Sequence, residues 1–278
     1  MGLGPRQTSG EVLAHVHVRQ IAVCETARRT YLAACLGRLS ASDACERANV
    51  TDPFTELMRE GARVGRTPLR RLAVQESRLG PDATVLEVIT AEGVIVCVAH
   101  RPDDAGSQTT FFLGGALGGL SGPAHGLYDR LAKEAGGVRI HYRRPGDTEA
   151  CLMDALLVHH VLGRRGVERV VLVGHSFGAA VAIGAGVLLG PAAAGVVALS
   201  TQVPGTEHVD KLAGRPLLLV HGESDGVLPD LCSRTVYERA GEPKRLVLLP
   251  GDGHLLDGAA DRVTELVRSF IAQVSEGS

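Results

Sequence analysis

The residues best suited to do chemistry lie in three short glycine-bearing segments. Gly174-His175-Ser176-Phe177-Gly178 is a G-x-S-x-G pentapeptide, preceded by Val170-Val171-Leu172-Val173 and followed by Ala179-Ala180-Val181-Ala182. Strand, sharp turn and helix in that order hold a serine in a strained conformation with its hydroxyl exposed. The second segment, His221-Gly222-Glu223-Ser224-Asp225-Gly226-Val227-Leu228-Pro229, follows an apolar run over 216–220. The third, Gly251-Asp252-Gly253-His254, follows the run Arg245–Leu249. Asp225 and His254 thus fall just past strand C-termini, where open α/β sheets build their sites. A serine hydroxyl is a poor nucleophile at neutral pH and needs a base to take its proton and pass it to the leaving group. His254 suits that task, and Asp225 suits the task of fixing the imidazole tautomer and stabilising its charged form. Asp252 and Glu223 are the other carboxylates available for the acid role.

Such a site needs a sheet to carry it, and the pattern after Gly80-Pro81 supplies one. Val85–Thr90 and Val94–Ala99 read as strands joined by a tight turn at Ala91-Glu92-Gly93. Further strands are expected at Thr109–Leu113, Val138–Tyr142, Val170–Val173, Gly195–Ser200, Leu217–His221 and Arg245–Leu249. Helices are expected at Pro123–Ala135, Glu149–Leu162, Phe177–Leu189, Asp230–Ala240 and Ala259–Val274. Strands alternating with helices imply a mostly parallel sheet covered on both faces. Before Gly80 the pattern is helical: Thr8-x-x-Glu11 forms a capping box, and Asp52-Pro53 and Thr67-Pro68 each set an N-cap before Pro. Several helices and no strand are expected within 10–78. The chain therefore divides into an N-terminal helical region, 1–80, and a catalytic domain, 81–278.

Composition narrows the field. The 278 residues are 45% apolar and 22% charged, with a net charge of −2. These are globular values, and they point to no nucleic acid and no membrane surface as partner. Of the basic residues three are Lys (Lys133, Lys211, Lys244), a base-composition bias and not an arginine-built site. Six cysteines without a C-x-x-C pair argue against a zinc site or a disulfide framework and for a reducing compartment. His15 and His17, two apart, do not share a helix face and are not read as metal ligands. Met1–His15 has no apolar signal core, so the expected location is cytoplasmic. The uncharged stretch Val170–Thr206 imitates a membrane span, but its glycines and Pro191 fit two buried strands around a buried helix.

Residues from about 83 to 274 resemble the α/β-hydrolase superfamily, through the G-H-S-F-G elbow, the H-G-x-x-D-x-x-x-P segment and the G-x-G-H segment in the order Ser, Asp, His. The resemblance implies an eight-stranded sheet with its second strand antiparallel. It also implies Ser176 as nucleophile, Asp225 as acid and His254 as base, with no metal or organic cofactor. An oxyanion hole would take one backbone N–H from Phe177 and one from the loop Leu113-Gly114-Gly115-Ala116-Leu117-Gly118-Gly119. Many relatives have His-Gly where this chain has Gly114-Gly115; the alignment makes Ala116 the second donor, with Leu117 as the alternative. Leu117, Thr201, Gln202 and Leu228 lie near the expected site mouth. The 15 residues 201–215 are too few for an inserted lid domain. This leaves the N-terminal region to cover the site, to form a homodimer contact or to pack on the sheet. The expected activity is hydrolysis of a small-molecule carboxylic ester or thioester through an acyl-enzyme. Two alternatives are acyl transfer or ring closure with water excluded, and a non-catalytic binding protein on the same fold.

Overall fold

A computed structural model of the protein describes residues 71–101 and 106–276. The expectations for helices within 10–70, the Thr8 capping box, His15 and His17 lie outside these residues. Nine strands form one sheet: β1 Arg71–Gly80, β2 Ala83–Thr90, β3 Gly93–His100, β4 Gln108–Leu113, β5 Gly137–His141, β6 Arg169–His175, β7 Ala193–Leu199, β8 Leu217–Gly222 and β9 Lys244–Leu249. Five helices interleave with them: α1 Pro123–Ala135, α2 Thr148–Gly163, α3 Phe177–Leu189, α4 Leu231–Arg239 and α5 Ala260–Glu276. The spatial order is β1-β2-β3-β5-β4-β6-β7-β8-β9. β1, β2 and β3 pair antiparallel, as do β3 and β5, and every later ladder is parallel.

The sheet therefore has nine strands and not eight, and β1 occupies 71–80, within the stretch expected to hold no strand. β1 is an edge strand with mostly exposed side chains, so no apolar period marks it. What makes it a strand is the backbone of β2, with register Val74↔Val88 and Glu76↔Leu86. The Pro81-Asp82 turn closes this hairpin, so the sheet begins before residue 81.

The middle of the sheet is built as its composition dictates. β7 and β8 are buried along their whole length, and β6 from Val170 onward. Parallel strands covered on both faces read as continuous apolar runs for this reason. One core lies on the α2 and α3 side, with Leu152, Val158, Val181, Ile183 and Leu172. The other lies on the α1 and α5 side, with Leu127, Leu131, Val263, Val267 and Val173. α3 is apolar all round because it is buried all round. No helix among the described residues is long and apolar enough to cross a membrane; the uncharged stretch is β6, α3 and β7. Asp154 on α2, fully buried, takes Arg143 Nε at 2.5 Å and Arg143 N–H at 2.8 Å, tying α2 to the end of β5.

α1 departs from its expected form at the start. Ala124, His125 and Gly126 are left-handed, at φ 50°, 54° and 86°. They are held there from outside the helix. Ala124 N–H donates to Leu255 O at 2.7 Å, His125 N–H donates to Asp257 Oδ1 at 3.0 Å, and Arg130 donates to the carbonyls of both Ala124 and His125. The turn is thereby fastened to the loop that carries His254.

Candidate active site

After β4 the chain crosses to β5 on one side and then returns to β6 on the other. That reversal is a topological switch point at the carboxyl ends of β4 and β6, the usual binding position in open α/β sheets. The loop after β4 is the Gly114–Gly119 segment, and the turn after β6 carries Ser176.

Ser176 sits at φ 56°, ψ −121°, a left-handed backbone costly for a non-glycine residue. Serine at a helix N-cap normally spends its hydroxyl on the first turn. Here it makes no cap hydrogen bond, so α3 begins with uncapped N–H groups and Ser176 keeps its Oγ. Both elbow glycines are steric necessities. A Cβ on Gly174 would stand 2.0 Å from Gly178 O, and one on Gly178 would stand 2.2 Å from Gly114 O and 2.4 Å from Leu113 O. The glycine loop is thus packed directly on the elbow. An ideal Cβ on Gly115 would lie 4.0 Å from Ser176 Cβ, and Ala116 follows, exposed.

Asp225 and His254 meet. His254 Nδ1 lies 2.7 Å from Asp225 Oδ2. A carboxylate only accepts, so Nδ1 carries the proton and Nε2 keeps a lone pair. The other carboxylate oxygen, Oδ1, accepts the N–H groups of Val227 at 2.7 Å and Leu228 at 2.8 Å. Burial by itself raises the Asp225 pKa; hydrogen bonds from His221, His254 and Leu228 N–H overcome it and hold the carboxyl well below the usual range. The His254 imidazole lies 4.8 Å, ring centre to ring centre, from that of His175, the residue before Ser176. His175 Nε2–H donates to His254 O at 2.9 Å, and Ser200 Oγ donates to the same carbonyl at 3.0 Å. Burial and the neighbouring His254 push the His175 pKa down to about 4, so its ring is neutral.

Asp252 does something other than orient His254. Its Oδ1 accepts Gly253 N–H at 2.9 Å and Gly258 N–H at 3.1 Å, and its Oδ2 accepts Ala259 N–H at 2.9 Å. It holds the loop on which His254 stands. Its carbonyl accepts Ser224 N–H at 2.8 Å, which joins this loop to the one bearing Asp225. Glu223 is exposed, with Arg234 3.8 Å away.

The architecture is shared with solved structures. Est1E from Butyrivibrio proteoclasticus superposes with a TM-score of 0.61 at 16% identity, over 69% of this chain and 99% of that one. Acetyl xylan esterase 1 from a Thermoanaerobacterium species gives 0.59 at 16% identity, over 81% and 95%. Residues 150–260 match the Phospholipase/Carboxylesterase family.

The chain has the α/β-hydrolase fold.

Two proteins described as uncharacterized are similar to parts of this chain. A 70-residue stretch is 39% identical to the uncharacterized protein YfhR of Escherichia coli K12, covering 25% of this chain and 24% of that protein. A 131-residue stretch is 30% identical to the uncharacterized protein Rv2307c of Mycobacterium tuberculosis H37Rv, covering 38% and 46%. The chain thus spans a quarter to under half the length of these curated relatives.

The remaining positions named from sequence differ in burial and in partners. Leu117 is exposed on the loop after β4, whereas Leu228 is buried against Val203 and Cys232. Gln202 is buried and its amide donates to Pro204 O; Thr201 Oγ1 donates to Gln202 O. The residues between β7 and β8 form turns and a short 3-10 helix, Val209–Leu212. Sequence reasoning gave no role to His221 or Ser200 and read Asp252 as a spare acid. His221, four residues before Asp225 at the same strand end, was the one legible sign of a second imidazole near the carboxylate.

Proposed function

We propose that this hydrolase cleaves carboxylic esters or thioesters with an apolar acyl group through an acyl-enzyme on Ser176. The observation that carries the reading is the Asp225–His254 bond, on an imidazole 4.8 Å from the ring of His175, the residue before an elbow serine whose hydroxyl caps no helix. Ser176 Oγ attacks the acyl carbonyl as His254 Nε2 takes its proton. Asp225 stabilises the imidazolium that forms. The N–H groups of Phe177 and Ala116 receive the oxyanion, aided by the positive end of α3. His254 returns the proton to the departing alcohol or thiol, and water releases the acid by the same steps.

The named activity of one solved neighbour, acetyl xylan esterase 1, and the family matched over 150–260 favour an ester over a peptide. The surroundings favour an apolar acyl group. Leu117, Val227, Leu231 and Leu255 are all exposed large hydrophobics, and each stands on or beside a loop that bears the elbow's neighbour, the acid or the base. Gln202 and Thr201 spend their polar groups on backbone. The buried thiols Cys97, Cys151 and Cys232 suit the cytoplasm, where we place the protein.

Labelling with a fluorophosphonate, read by intact mass, tests the nucleophile. Wild type takes up one probe per chain and Ser176→Ala takes up none. Equal labelling of both, or no labelling of folded wild type, overturns the assignment.

A further inference from the structure

His221 stands next to last in β8 and is fully buried. Its Nδ1 lies 2.6 Å from Ser233 Oγ on α4. Its Nε2 lies 3.0 Å from Leu228 O and 3.2 Å from Asp225 Oδ2. Both partners of Nε2 can only accept, so the ring proton is on Nε2 and Nδ1 accepts from the Ser233 hydroxyl. One imidazole therefore links the strand end, the acid loop and α4. It also makes Asp225 a shared carboxylate: Oδ2 accepts from His254 and lies 3.2 Å from His221 Nε2, whose one proton it shares with Leu228 O, and Oδ1 accepts two backbone N–H groups.

Resting on the triad reading above, we propose that His221, held in one tautomer by Ser233, is a positioning residue for the acid. The assignment has two consequences. The carboxylate cannot rotate without breaking a bond to a buried ring, so its Oδ2 stays aimed at His254. The donor from His221 also takes part of the negative charge that would otherwise act on His254 alone. The other titratable groups around the carboxylate do not substitute for it. His175 is neutral and spends its Nε2–H on His254 O, Asp252 is bound to loop N–H groups, and Glu223 faces out toward Arg234.

The test compares His221→Met, which removes the donor, with His221→Gln, which keeps an amide N–H in reach, and with Ser233→Ala, which frees the ring to change tautomer. Steady-state kinetics are followed against pH on an acyl ester. His221→Met lowers kcat about tenfold or more while KM stays within about twofold. Its kcat/KM profile moves on the acid side by about half a pH unit to higher pH, because an unshared carboxylate stabilises the imidazolium more. His221→Gln recovers most of kcat, and Ser233→Ala moves the profile the same way by less. Loss of thermal stability with kcat and profile unchanged overturns the proposal, as does a Gln variant no better than Met. If His221→Met does not fold, the Ser233→Ala profile decides by the same criterion. Failure of folded wild type to take the fluorophosphonate at Ser176 overturns the hydrolase reading instead. A labelled wild type with unmoved variant profiles overturns the role of His221 alone.

Discussion

His175 spends its ring on the backbone of the residue that faces it. A buried imidazole that donates to a carbonyl, and whose pKa has fallen from 6.5 to about 4, has a consequence for stability. As pH falls through that window the unfolded chain takes up a proton that the folded chain refuses. Stability therefore decreases from pH 6.5 downward and the loss is complete near pH 4, about 3 kcal/mol in all. Denaturant midpoints for wild type fall between about pH 7 and about pH 4.5, and His175→Asn removes most of that difference. At this scale residue type and spacing singled out Asp225 and His254, which the fold brings within 2.7 Å of each other from 29 residues apart. The sequence was illegible where a side chain serves a backbone far away in the chain. His175 carried no sign of its bond to His254 O, 79 residues on, and Asp252 none of its grip on Ala259.

Among the elements, α3 shows how a helix can be finished from outside. It has no charged residue of its own, and its last carbonyls point to the guanidinium of Arg215, with Nη1 2.6 Å from Gly186 O and 2.9 Å from Gly190 O. A cation at a helix C-terminus satisfies orphan carbonyls and opposes the helix dipole. Arg215→Ala costs about 1.5–3 kcal/mol, and thermal unfolding detects it as a Tm lower by about 3–10 °C. Strands β4 and β6–β8 were readable because burial on both faces forces apolar runs. β1 was not, because an edge strand with exposed side chains owes its form to one neighbour's backbone. The left-handed start of α1 was hidden for a related reason: its hydrogen bonds go to Leu255 and Asp257, more than 100 residues away.

For the whole molecule, the hairpin β1–β2 decides where the sheet ends. A chain trimmed to start at Pro81 leaves the edge of β2 unpaired, and a bare edge recruits other edges. Compared with a chain trimmed to start at Arg71, it unfolds at lower temperature and self-associates, as light scattering will show. The elbow carries a different kind of boundary. Gly178 packs so closely on the carbonyls of Leu113 and Gly114 that the elbow turn and the glycine loop form one rigid piece. Variation in this protein is therefore channelled. The exposed Leu117, Val227 and Leu255 can change without disturbing any packed neighbour, while a single methyl group on Gly178 would push the elbow off the glycine loop and one on Gly174 would break the turn itself.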